Sequence, residues 1–179
     1  MTQVGSVYGD ALYELAASEQ LEEGILNELK VLQESFTAEP DFIRLLSSHA
    51  LAKQASCQVL DDTLRGKVHP YVLNFLKILT EKGYMHHFFH CCESYTRHYN
   101  KDHNILSVRA VTAVEMTPAQ ADALTQKLTQ MTGKEIQLVN RVDPTCLGGV
   151  RLDYDGQQLD DTISHRMERI RELLKNTVL

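Results

Sequence analysis

The sequence predicts an α+β protein in which an N-terminal six-helix bundle precedes a small C-terminal α/β domain. Three observations carry this reading. Apolar residues recur at helical spacing through roughly the first hundred positions. From Ile105 onward β-branched residues alternate as they do in strands. Composition changes at the same point, because eleven of the twelve Phe and Tyr residues and seven of the eight histidines lie before Ile105. The expected domains are residues 1–104 and 105–179, joined near residues 101–106.

Each element has its own signal. Val4, Tyr8, Ala11, Leu12 and Leu15 form the stripe of a first helix, and Ile25, Leu29, Leu32 and Phe36 that of a second. Pro40 opens a short third helix over DFIRLL, since proline fits the first helical turn. A fourth covers about Lys53 to Leu64, and Pro70 starts a fifth, which Gly83 ends as a C-cap. A sixth runs from Met85 with Phe88, Cys92, Tyr95 and Tyr99 on one stripe. Short connections place these helices side by side. Beyond them ILSVRAVTAVE reads as a strand, and Thr117 caps a helix whose stripe runs through Leu124, Leu128 and Met131 to Gly133. Strands follow at Glu135 to Val142, at Gly148 to Asp153 and, after the Asp155-Gly156 hairpin signal, at Gln157 to Leu159. The final helix, about Thr162 to Asn176, carries Ile163, Met167, Ile170 and Leu174 on one stripe, which either packs wholly on the small sheet or leaves part for an outside contact.

Composition narrows the function classes. The chain has 179 residues, 43% hydrophobic and 23% charged, which excludes a disordered tail or a fibrous rod. A net charge of -6, with 14 acidic and 9 basic residues before Ile105 and 10 and 9 after it, weighs against nucleic acid as a partner. No apolar run reaches membrane-spanning length, and the first residues lack a basic stretch followed by an apolar one, so a cytosolic chain without membrane insertion is expected. Cys57, Cys91, Cys92 and Cys146 are read as reduced thiols.

The densest chemistry is HHFFHCC, where His86 and His90 stand one helical turn apart beside Cys91 and Cys92. One helix face offers a metal only two such ligands, and a zinc site needs three or four, so a packed helix is the stronger reading. Gly148-Gly149 lacks both the Lys-Ser/Thr ending of a phosphate loop and a following helix. Asp143-Pro144 marks a turn. No nucleophile elbow, metalloprotease motif or calcium loop occurs, so neither a catalytic site nor a cofactor is expected.

Three segments carry a family resemblance: VDPTCLGGVRLDYDG (Val142 to Gly156), VYGDALYELA (Val7 to Ala16) and NFLKILTEKG (Asn74 to Gly83). Taken with the helix ending in TGKEIQL and the closing LDDTISHRMERIRELL, the chain resembles, over nearly its whole length, the delta subunit of bacterial F-type ATP synthase, related to the mitochondrial oligomycin-sensitivity-conferring protein. It departs from that family's pattern at Val7 and Tyr84, where Arg is frequent, at Asp153, where a basic or amide residue is usual, and at Asp161, where Gly is common.

The resemblance implies a non-catalytic stator subunit, one copy per complex, peripheral at the cytoplasmic face of the cell membrane. It links the catalytic head to the b-subunit stalk against rotor torque. In this picture a groove between the first and fifth helices takes an N-terminal helix of an alpha subunit, with Gly5, Gly9 and Ala11 allowing close approach. Tyr8, Leu12, Leu15, Val72, Phe75, Leu76 and Leu79 supply its walls, some of them also serving the core. The b-subunit stalk would meet the last helix at Ile163, Arg166, Met167, Ile170 and Leu174, flanked by Arg169 and Arg171. Two other classes stay open: a helical regulatory or RNA-binding module, and a small metal-dependent enzyme built on His86, His90 and Cys91.

Overall fold

The computed structural model describes residues 3–47, 53–146, 148–154, 156–160, 162 and 167. The chain divides into two compact units, residues 1–99 and 100–179. Together the described residues hold seven α-helices and one four-stranded sheet.

The first unit is helical: α1 (Gln3–Ser18), α2 (Glu22–Ala38), α3 (Pro40–Ser47), α4 (Lys53–Leu64), α5 (Pro70–Lys82), a 3-10 turn (Met85–His87) and α6 (Phe88–Asp102). The start of α5 is fixed by side-chain chemistry. His69 accepts a hydrogen bond from the Tyr71 amide, while its own amide donates to the Glu28 carboxylate at 2.7 Å. Gly83 closes the helix at φ 74°, a left-handed conformation that glycine adopts without penalty from a Cβ.

One core joins all six helices. Ile25, Leu29, Leu32 and Phe36 of α2, Leu60 of α4, Val72, Leu76 and Leu79 of α5 and Phe88, Cys92 and Tyr95 of α6 are all buried, with Leu12 of α1 and Leu46 of α3 beside them. The Tyr95 ring meets Tyr13 edge-on at 5.3 Å, and its hydroxyl donates to the Glu22 carbonyl at 2.9 Å. Both contacts suit an aromatic ring with one polar tip. Burial and the nearby Glu22 push the Tyr95 phenol above its ordinary pKa, so the ring stays neutral.

The buried face of α1 differs from the stripe its large apolar residues suggest. Gly5, Gly9, Leu12, Tyr13 and Ala16 are buried, whereas Ala11 and Leu15 face solvent. The cause is the close approach of α6. A Cβ at position 9 would stand 2.4 Å from the Cys91 carbonyl oxygen and 2.8 Å from the Ser94 Cβ. Gly9 therefore serves the packing of α1 on α6 and not the reception of an outside helix. Along the same seam the Ser94 hydroxyl donates to Asp10 at 2.6 Å, and His98 Nε2 reaches the same carboxylate oxygen at 3.1 Å.

In the second unit β1 (Ile105–Thr112), α7 (Pro118–Thr132) and β2 (Glu135–Val142) make a parallel strand–helix–strand unit, with Ile105 opposite Glu135. A 3-10 turn (Pro144–Cys146) leads to β3 (Val150–Tyr154), antiparallel to β1, and then to β4 (Gln157–Asp160). Of the hairpin pair Asp155-Gly156, Asp155 lies outside the described residues. The strand order is β2-β1-β3-β4. Alternation places Leu106, Val108 and Ala110 on one face with Ile136 and Leu152, where Leu124 and Leu128 of α7 pack. Met131, expected on that stripe, is 74% exposed and falls in the last turn of α7, outside the cluster that Leu124 and Leu128 join. Thr117 and Gln120 form a reciprocal capping box at the start of α7. Asn140 ties the β1–α7 connection to β2, accepting from the Met116 amide and donating to the Ala110 carbonyl and Thr112 hydroxyl.

Candidate functional site

With Gly5, Gly9, Leu12, Tyr13 and Ala16 turned inward, a second set of apolar residues of α1 is left on the outside. Val4 and Tyr8 are half-buried, Ala11 is exposed, and Val7 and Leu15 are 59% and 42% exposed. Their spacing of three, four, seven and eleven residues from Val4 puts them on one helical face. None of the five is charged. Asp10, on the flank of the stripe, is engaged by Ser94 and His98 of α6. The stripe extends sideways through Tyr84, whose ring lies 6.0 Å from that of Tyr8.

The residues expected to wall a groove between α1 and α5 thus fall into two groups. Tyr8, Ala11 and Leu15 are open to a partner to differing degrees. Leu12, Val72, Phe75, Leu76 and Leu79 are core side chains, none more than 6% exposed, and support the outer surface without lining it. The reason is that α5 packs on α2 and α4, so its apolar face is consumed inside the bundle. Val7, which in the sequence is only a departure from a family pattern, is the most exposed large apolar residue of α1. Its i, i+4, i+8 register with Ala11 and Leu15 is the signal that could have found it.

Of the residues assigned to a stalk contact, Ile163, Arg166, Ile170 and Leu174, with the flanking Arg169 and Arg171, lie outside the described residues. Met167 is 60% exposed.

The histidine and cysteine cluster separates by depth. Cys91 and Cys92 are enclosed in the core, where burial pushes the Cys91 thiol up to about 11 and raises Cys92 as well. Such thiols are protonated at neutral pH. His86, His87 and His90 sit near the surface, with rings 3.9 Å apart for the first two and 6.2 Å apart for the last two. Among the described residues no three His, Cys, Asp or Glu side chains converge as metal ligands.

The Asp143-Pro144 segment is a turn. Asp143 accepts from the Thr145 hydroxyl at 2.6 Å and from its amide at 3.0 Å. These bonds, with Arg151 and Arg141 nearby, hold the Asp143 carboxyl below its usual range. Gly148 and Gly149 lie in the bend that leads into β3. Between α4 and α5 a shallow groove is lined by Lys53, Cys57, Arg65 and Glu81, and its Asp61 is paired with Lys77 at 2.7 Å and Arg65 at 3.0 Å. Of its charged residues, Asp61 and Arg65 pair with each other. Among the described residues no helix is long and apolar enough to cross a membrane.

Comparisons with known proteins bear on this arrangement as a whole. The family model described as "ATP synthase delta (OSCP) subunit" matches residues 4–174. The ATP synthase subunit delta of Alkaliphilus oremlandii is 31% identical over 176 residues, covering 98% of this chain and 98% of that protein. That of Enterococcus faecalis is 28% identical, covering 96% and 95%. In fold, the chain is similar to one in the cryo-EM structure of the Toxoplasma gondii mitochondrial ATP synthase hexamer. There the TM-score is 0.80 at 19% identity, with 97% of this chain and 98% of that one covered.

Proposed function

The chain belongs to the ATP synthase delta (OSCP) subunit family, and from that premise we propose that it is a non-catalytic stator subunit that joins the catalytic head of a proton-translocating F-type ATP synthase to its peripheral stalk. It works as one copy per complex, peripheral at the cytoplasmic face of the cell membrane, and takes no cofactor. Its helical domain, residues 1–104, binds N-terminal helices of the alpha subunits. Its C-terminal domain, residues 105–179, binds the b-subunit stalk through the last helix, at Ile163, Arg166, Met167, Ile170 and Leu174.

The observation that carries the head contact is the uncharged stripe Val4, Val7, Tyr8, Ala11 and Leu15 on the outside of α1. An amphipathic helix laid along it buries apolar surface on both sides, and each anchor repeats at the spacing such a helix can match. A stator needs contacts that stay shut under torque, and broad apolar faces on a stiff bundle serve that need better than a pocket. Tyr8 is the natural anchor, being aromatic, half-buried and backed by Tyr84.

The test is binding of the full chain to a synthetic peptide of the alpha-subunit N-terminus, and separately to the b-subunit stalk. Tyr8→Ala is expected to weaken the first by about 1–3 kcal/mol and leave the second unchanged. Undiminished peptide binding by a folded Tyr8→Ala chain excludes Tyr8 from the contact.

A further inference from the structure

The imidazoles of His86, His87 and His90 occupy the corner where α5 gives way to α6, and an aromatic row leads from them to the outer face of α1. His87 lies 3.9 Å from His86 and 6.2 Å from His90, its ring is 6.1 Å from Tyr84, and Tyr84 is 6.0 Å from Tyr8. Three imidazoles this close cannot all charge without repulsion. Protonation also gives each ring a second N–H donor, and the enclosed Nδ1 of His90 has no hydrogen-bond partner among the described residues.

We propose that His87, flanked by His86 and His90, is a proton-sensitive element that loosens the Tyr8 end of the head-binding face when its ring gains a proton. This rests on the reading of the α1 stripe as the site for the alpha-subunit helix. Charge on His87 pushes the rings apart, and in this proposal the 3-10 turn carrying His86 and His87 shifts with them. Tyr84 directly precedes that turn and packs on Tyr8, so a displaced turn withdraws the support behind the anchor.

Charged groups stand on the neighbouring elements and on α6 itself, where Glu93 follows His90 by three residues. Partial burial, then His86 and His90, hold His87 below its ordinary value of 6.5. On the neighbouring elements, Asp41 and Arg44 of α3 pair with each other at 3.1 Å, and Glu81 near the end of α5 lies 4.0 Å from the Cys57 sulfur. Lys82 is the last residue of α5, and α1 contributes Tyr8, which packs on Tyr84. With its pKa lowered by folding, His87 leaves the bundle at full stability above its ordinary value. Stability falls as pH drops through 6.5 towards the folded value.

The experiment uses the full chain carrying labelled tyrosine and histidine, followed by NMR without any partner from about pH 7.5 to about pH 5.5. Tyr8 is assigned through Tyr8→Phe. The Tyr8 ring signal is expected to move with the midpoint of His87 and to stay still in His87→Gln. The double variant His86→Gln/His90→Gln should move that midpoint upward by removing the like charges. Binding of the alpha N-terminal peptide should weaken roughly threefold to tenfold across the same range, and this dependence should vanish in His87→Gln. A Tyr8 signal that ignores the His87 titration overturns the proposal, as does peptide binding whose pH dependence survives His87→Gln. If the peptide binds at no pH, the reading of the α1 face fails, and the Tyr8 titration alone decides whether the cluster is coupled to it.

Discussion

Replacing Gly9 with alanine should open the seam between α1 and α6. The added Cβ would sit 2.4 Å from a backbone carbonyl oxygen, that of Cys91, and 2.8 Å from the Ser94 Cβ. Neither neighbour is the free end of a flexible side chain, so the helices must part by the better part of an ångström. Such overpacking costs about 1–3 kcal/mol. Parting also stretches the Ser94 and His98 contacts to Asp10, adding on the order of 1 kcal/mol. Against this stands alanine's better helix propensity, roughly 1 kcal/mol. The net expectation is a loss of about 1–3 kcal/mol, a fall of roughly 5–15 °C in the melting temperature of a unit this size. Gly24, on the open side of α2 with nothing within 4 Å of its would-be Cβ, is the internal control. Gly24→Ala should stabilise by about 0.5–1 kcal/mol. Far-UV circular dichroism gives both melting curves, and thiol labelling of Cys91 and Cys92 reports whether the seam has opened. Were Gly9→Ala as stable as Gly24→Ala with both thiols still protected, the close approach of α1 to α6 would be wrong.

Leu76→Ala, in the α5 core, should cost about 2–5 kcal/mol by urea unfolding, whereas Leu15→Asp on the outer face should change stability by less than about 1 kcal/mol while reducing alpha-peptide binding. Thr117→Ala removes one half of the capping box of α7. It should lower the stability of the second unit by about 0.5–2 kcal/mol in a melting curve, with Thr117→Ser restoring it. Because Asp143 is held below its usual value by Thr145, its contribution is present above about pH 4 and lost as pH falls through the folded value. Asp143→Asn should remove that acid-dependent part from a pH series of melting curves.

How far the sequence can be read depends on which side chains carry the signal. Caps and stops are legible because they rest on local chemistry: Gly83 and Gly133 end α5 and α7 in the left-handed conformation, and Thr117 caps as expected. The stripes of α2 and α6 are legible because their buried residues are large. On α1 the apolar pattern points only in part at the core, with Leu12 buried and Ala11 and Leu15 facing outward. Gly5, Gly9 and Ala16 carry almost no hydrophobic weight, yet their smallness is what lets another helix come near and bury that side. Val7, Ala11 and Leu15 are thus left outside, while Val72, Phe75, Leu76 and Leu79 are drawn into the core by the packing of α5 on α2 and α4. The row from His87 through Tyr84 to Tyr8 joins the sixth helix's approach to the first helix, and no spacing rule reaches across such a separation in sequence.

The claim that the outer face of α1 holds the head is tested most directly by photocrosslinking in the assembled complex. A benzophenone amino acid is placed at position 7, at position 15 or, as a control on another exposed helix surface, at position 31, where the native residues are Val7, Leu15 and Val31. Positions 7 and 15 should couple to the N-terminal segment of an alpha subunit, and position 31 should not. Coupling from position 31 with none from 7 or 15 would place the head contact on a different face of the bundle and contradict the account.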